Sequence, residues 1–144
     1  MPSISKNALV PYSAAQMYSL VDDILAYPEF LPWCGGSSEI SRDEDEVKAT
    51  IVIAHSGLQK PFTTCNRVQK NKMIEISLVD GPFRHLHGFW RFDALAEDAC
   101  KVSFDLEYEF SSKLVGMALG PVFSQIANAL LDAFCQRARS LYGQ

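Results

Sequence analysis

From Val102 to Phe110 the chain alternates without a break: Val102, Phe104, Leu106, Tyr108 and Phe110 share one parity, and Lys101, Ser103, Asp105, Glu107 and Glu109 the other. Successive side chains of a strand point to opposite faces, so this segment reads as a strand with one face in a core and one in water. Leu86, Gly88, Trp90 and Phe92 of the preceding segment fit the same inner face. The period of two recurs in Val47, Ala49, Ile51, Ile53 and in Ile74, Ile76, Leu78. Strand follows strand with short turns from residue 37 to 111, which predicts an antiparallel meander.

The flanks read differently. Residues 4–10 alternate in part and stop at Pro11, as a first strand would. Ser13-Ala14-Ala15-Gln16 has the form of a capping box and predicts a short helix to about Asp23. The segment Tyr27-Pro28-Glu29-Phe30-Leu31-Pro32-Trp33-Cys34-Gly35-Gly36 allows one helical turn at most before a tight bend. From Leu114 to Tyr142 the residues Phe123, Ile126, Ala127, Leu130, Phe134, Ala138 and Leu141 recur at helical spacing, with Gly120-Pro121 expected to kink the helix or split off its first turns. These elements predict an α+β chain, one domain over 1–144, in which a curved antiparallel sheet grips a long C-terminal helix behind two short ones. A strongly curved sheet that one helix does not fully cover leaves an apolar cavity, the usual form of a ligand site.

A chain of 144 residues, 48% of them apolar, buries enough surface to hold a core without metal or disulfide staples. Its charge of -4 argues against DNA and general nucleic-acid binding. Cys34, Cys65, Cys100 and Cys135 lie at least thirty residues apart and suit reduced thiols in the cytoplasm. The first residues lack the charged and apolar regions of a secretory leader, and the apolar stretch from Leu114 to Phe123 is about half a membrane span. A protein neither exported by that route nor integral to a membrane is expected.

No phosphate loop, nucleophile elbow or zinc spacing is present in the sequence, so a non-catalytic role is expected, with no required cofactor and no metal. His85 and His87 are the best acid/base candidates, yet their parity is opposite to Leu86, Trp90 and Phe92. They are expected to point outward, with His87 opposite Glu107 or Glu109 in a cross-strand charge pair. His55 shares the parity of Ile51 and Ile53 and reads as a core or cavity-edge residue. Asp43-Glu44-Asp45-Glu46 reads as a solvated hairpin tip. Residues 61–96 carry +2 against -6 for the rest of the chain, a modest basic excess that could face an anionic partner. Residues 114–123 are either core packing or a mobile lid at the cavity mouth whose Leu, Met and Phe side chains meet lipid.

Three stretches together resemble a known family. They are Tyr27-Pro28-Glu29-Phe30-Leu31-Pro32-Trp33-Cys34, then Asp80-Gly81-Pro82-Phe83-Arg84-His85-Leu86 with Gly88-Phe89-Trp90-Arg91-Phe92, and Ala133-Phe134 with Arg137-Ala138 and Tyr142-Gly143. Over nearly the whole chain they resemble the coenzyme Q-binding protein family, whose bacterial members include the ribosome-association toxin RatA. The resemblance implies the helix-grip fold of the START-like, polyketide cyclase-like superfamily. It also implies two functions: a carrier or chaperone for ubiquinone in respiration, and a toxin that binds the ribosome and blocks association of its subunits. A cyclase-like enzyme of the superfamily is a third reading, weakened by the lack of an inward acid/base pair.

The aromatic inner faces favour the carrier, with ubiquinone as bound ligand and few polar anchors for its head group. The residues nominated for the cavity wall are Trp33, Trp90, Phe92, Phe104, Leu106, Tyr108, Met117, Phe123, Ile126 and Leu130, with Tyr108 as the polar handle. Partners expected on this reading are a hydrophobic quinone or lipid, the inner membrane surface touched transiently through 114–123, and a ribosomal subunit.

Overall fold

The computed structural model describes residues 2–143. Ser3–Val10 forms β1, and Pro11, which has no amide to donate, follows its last residue. The Ser13 side chain then accepts from the Gln16 amide at 3.0 Å while the Gln16 side chain accepts from the Ser13 amide at 2.9 Å, the expected capping box, and α1 runs over Ala14–Asp22. A single 3-10 turn, Ile24–Ala26, leads into the one-turn α2, Tyr27–Phe30. Six strands follow: β2 Cys34–Arg42, β3 Glu46–His55, β4 Leu58–Gln69, β5 Met73–Asp80, β6 Phe83–Ala96 and β7 Ala99–Phe110. The chain closes with α3, Lys113–Tyr142, capped by the Ser112 hydroxyl on the Val115 amide.

All neighbouring strands are antiparallel, in the order β1-β7-β6-β5-β4-β3-β2. Register shifts interrupt β2 against β3, β4 against β5 and β6 against β7. Irregularities of this kind bend a strand and tighten its twist, which is how the sheet wraps a helix. The inner face carries Val47, Ala49, Ile53, Ile74, Leu86, Trp90, Phe92, Val102, Phe104, Leu106 and Tyr108, all buried, as the period of two predicts. Against it α3 lays Phe123, Ile126, Ala127, Leu131, Phe134 and Ala138. The helix-grip architecture is therefore the observed one.

Two expectations about α3 are narrowed. Of the kink or split expected at Gly120-Pro121, the split does not occur: the helix is continuous with Pro121 inside. Residues 114–123 are neither wholly core nor wholly lid, since Leu119 and Phe123 are buried while Leu114 and Met117 are 76% and 71% exposed. The two ends of α3 are held differently. At the C-terminal end the Tyr12 hydroxyl donates to the Gly143 carbonyl at 2.6 Å, and Tyr142 donates to the Gln16 carbonyl at 3.3 Å. At the N-terminal end the helix rests on aromatic rings, with Phe123 against Phe83 and Tyr108 and Gly116 close to Phe110.

Candidate functional site

Between the curved sheet and the middle of α3 lies an apolar cavity of about 90 Å³. Each layer contributes to its wall for a reason visible in the sequence. The inner parity of β6 and β7 supplies Leu86, Trp90, Phe104 and Leu106, the inner stripe of α3 supplies Phe123, Ile126, Ala127, Leu130 and Phe134, and the connector after α1 supplies Ile24, Tyr27 and Trp33. Ile51 from β3, Phe62 from β4 and Ile76 from β5 complete the apolar part. Trp90 anchors this wall, stacked on Phe104 at 4.3 Å between ring centres and met edge-on by Phe134 at 5.3 Å.

Seven of the ten nominated residues line the cavity: Trp33, Trp90, Phe104, Leu106, Phe123, Ile126 and Leu130. Three do not. Phe92 is buried beyond Trp90, where its ring meets Tyr18 of α1 edge-on at 5.7 Å. Tyr108 is buried among Phe110 and Phe123 and does not reach the cavity, so it is not the polar handle. Met117 lies on the solvent face of α3.

The polar groups on the wall come instead from β4. Thr64, 5% exposed, and Asn66 both face the cavity, and the Thr64 hydroxyl donates to the Asn66 side-chain carbonyl at 3.1 Å. The sequence carried a signal for them. Phe62, Thr64, Asn66 and Val68 alternate with the same period as the other strands, so two polar side chains occupy inner-face positions. A polar pair on an apolar wall, here a buried threonine and a half-buried asparagine, is the pattern of a site that orients a ligand. Tyr27 is the third polar member, but its hydroxyl is committed to the Val21 carbonyl. Burial, helped by nearby Asp22, pushes the Tyr27 phenol well above the usual tyrosine range, so it stays protonated.

The histidines lie elsewhere. His85 and His87 point outward from the sheet, on the face away from the cavity, as their parity predicts. The register sets His87 opposite Glu107, yet its ring nitrogen pairs with Glu75 of β5 at 2.8 Å, and His85 reaches Glu107 at 3.4 Å. Both rings contact a carboxylate of a neighbouring strand, but the expected His87 partner, Glu107 or Glu109, is not the one found. A side chain on a twisted sheet can lean to either neighbour, and His87 leans to β5. His55 is exposed at the end of β3, outside the core, and borders a surface groove that shares Trp33 and Ile126 with the cavity wall. Asp43 to Glu46 are all exposed around the β2–β3 turn, where the Asp43 carboxylate accepts the Asp45 and Glu46 amides at 2.8 and 2.9 Å. Within residues 61–96, Arg84 is paired with Glu109 at 3.3 Å. Among the described residues no group of His, Cys, Asp and Glu is arranged to hold a metal ion.

A seven-stranded antiparallel sheet wrapped on one long helix over an apolar cavity defines a helix-grip protein of the START-like class. A START superfamily protein from Mycobacterium smegmatis superimposes with a TM-score of 0.80 at 22% identity, covering 96% of this chain and 98% of that one. The Zhui aromatase/cyclase from Streptomyces superimposes with a TM-score of 0.82 at 13% identity, covering 96% and 95%, a likeness of fold alone. Residues 10–135 match the family described as polyketide cyclase/dehydrase and lipid transport, and the chain belongs to it. The ribosome association toxin RatA of Pseudomonas aeruginosa is 46% identical over 140 residues, 97% of each chain. The mitochondrial coenzyme Q-binding protein COQ10 homolog B of Xenopus laevis is 26% identical over 97% of this chain and 59% of that protein.

Proposed function

We propose that this protein is a non-catalytic binding protein for a hydrophobic isoprenoid quinone of the ubiquinone class, held in the cavity under α3. The observation that carries the reading is the cavity itself: a partly open apolar pocket whose wall holds one polar pair, the buried Thr64 and the half-buried Asn66, placed to meet a head group. Transfer of apolar surface out of water supplies the affinity, at about 25 cal/mol per Å². The polar pair supplies orientation. Among the described residues no carboxylate, histidine, lysine or cysteine lines the cavity, His85 and His87 being on the opposite face of the sheet, and this supports binding over catalysis. The likeness to a coenzyme Q-binding protein supports the choice of ligand.

The cavity is smaller than the roughly 300–1,000 Å³ of typical small-molecule sites. Uptake therefore requires part of the wall to move. In this proposal the protein works in the cytoplasm and meets the inner membrane surface through the exposed Leu114 and Met117. Organic extraction of natively purified protein, read by mass spectrometry and by the absorbance change of quinone on reduction, tests it. A near-stoichiometric prenylquinone supports the reading. An empty extract, with no uptake of added ubiquinone, overturns it.

A second reading has its own support in the 46% identity with a ribosome association toxin over nearly the full length of both chains. On that reading the protein binds a ribosomal subunit and blocks association. Its acidic balance gives ribosomal RNA little to attract, so the contact would be made with ribosomal protein.

A further inference from the structure

The cavity and the outer surface share two wall residues. Trp33 and Ile126 line the cavity, and the same two residues line a groove of about 250 Å³ on the outside of the molecule. The groove lies between the segment after α2, the end of β3 and the middle of α3. Its remaining apolar walls are Pro32, Ala54, Val122 and Ala129.

We infer that this groove is the subsite for the flexible hydrocarbon chain of the ligand, joined to the cavity when the Trp33 indole swings aside. The inference rests on the hydrophobic-ligand reading above and extends it from the head of the ligand to its chain. Volume is the first argument. An engineered apolar cavity of roughly 150 Å³ is enough for benzene, so about 90 Å³ cannot enclose a ring and a chain together. The chain must leave, and the groove begins where the cavity ends.

Mobility is the second argument. The Trp33 backbone is fixed, because its carbonyl accepts the Ala54 amide at 2.7 Å. Its side chain is only partly buried, so a rotamer change at Trp33 opens the wall without breaking the sheet. Chemistry is the third. Trp33 also borders a wider groove on its other side, but that one contains Glu29, Asp132, Gln136 and Arg137, with Arg137 paired to Glu29 at 2.9 Å. Pro32, Trp33 and Ala129 border both grooves, so the difference lies in the rest. The wider one carries three ionic side chains, which suit water and ions, whereas the smaller one has, among the described residues, only His55 and Gln125 as polar members beside Ala54, Val122 and Ile126.

The test uses isoprenoid alcohols of increasing length, geraniol, farnesol and geranylgeraniol, with binding followed by calorimetry. For the native sequence, affinity is expected to rise with chain length. Gln125→Trp fills the groove from an exposed position that does not border the wider groove, and is expected to weaken geranylgeraniol by about tenfold or more and geraniol by much less. Val122→Asp places a carboxylate on the groove wall and is expected to give the same pattern, so the test survives if one variant fails to fold. Retention of the full gain with length in both folded variants would overturn the chain subsite and leave the cavity reading intact. Conversely, a groove-dependent gain with length, together with no binding of a quinone head group lacking a chain, would overturn the quinone reading and keep the subsite. If no alcohol binds the native protein, both fall.

Discussion

Gly88 of β6 and Leu106 of β7 are cross-strand partners, and Leu106 reaches the cavity wall because Gly88 has no side chain. A Cβ at position 88 would stand 2.9 Å from the Leu106 Cδ1 and 2.8 Å from the Asp105 carbonyl oxygen. The leucine terminus can turn away, but the carbonyl belongs to the strand pair and cannot. Gly88→Ala is therefore expected to destabilise the fold by about 1–3 kcal/mol, as overpacking does, and to press Leu106 toward the cavity. Urea unfolding checks the first effect and loss of ligand uptake the second.

Leu106→Asp places an unpaired carboxylate on the same wall. The charge has no partner among the lining residues, and its desolvation disfavours any apolar ligand. The expected outcome is loss of ligand retention, measured by extraction of the purified variant. A folded variant that still carries quinone would remove Leu106 from the site.

Thr64→Val keeps the shape of the wall and deletes the hydroxyl that donates to Asn66. The stability change should stay within about 1.5 kcal/mol, the usual net worth of one hydrogen bond. Affinity for a quinone head group should fall while the gain from each added isoprene unit is unchanged. Titrations of a short and a long quinone against both proteins separate the two terms.

Leu119 and Leu114 lie five residues apart on α3 and should respond in opposite ways. Leu119 is 2% exposed, so Leu119→Ser is expected to cost about 2–5 kcal/mol in unfolding experiments. Leu114→Ser and Met117→Ser remove exposed side chains and should change stability by no more than about 0.5 kcal/mol. If the first turns of α3 meet lipid, these two variants bind liposomes more weakly in a flotation assay. Unchanged flotation would rule out that contact.

Burial pushes the Cys100 thiol up to about 11 from its ordinary value near 9. In the unfolded chain the thiol loses its proton first, so between about pH 9 and 11 the unfolded state binds fewer protons than the folded one. Stability must then fall as pH rises through that window and level off for this group above it. Below pH 9 the group is neutral in both states and contributes no slope. Cys100→Ala is expected to flatten this part of the alkaline limb, measured as urea midpoints from pH 8 to 11. Further loss from about pH 10 upward belongs in part to Tyr27, whose phenol is also held up by burial.

Much of the fold follows from local rules. The break at Pro11, the reciprocal Ser13 and Gln16 bonds, the single turn at Tyr27 and the inner parity of β6 and β7 are short-range consequences of residue type, and the structure contains each. The site was less legible. Phe92, Phe104 and Tyr108 share an inner face, yet only Phe104 reaches the cavity, because position along the sheet relative to α3 is not encoded in a period of two. Thr64 and Asn66 gave a weaker signal than the aromatics, as hydroxyl and amide side chains on an inner face are equally consistent with an edge strand.

What the sequence determines by itself is which side of each element is apolar, since strand and helix periods are properties of the backbone. It thereby settles that a sheet must close on a long amphipathic helix. The tertiary structure decides where sheet and helix part to leave a cavity, which carboxylate His87 takes, and that Trp33 stands between the inside and a surface groove. Those outcomes depend on twist, register shifts and contacts between residues far apart in the chain. No local pattern carries that information.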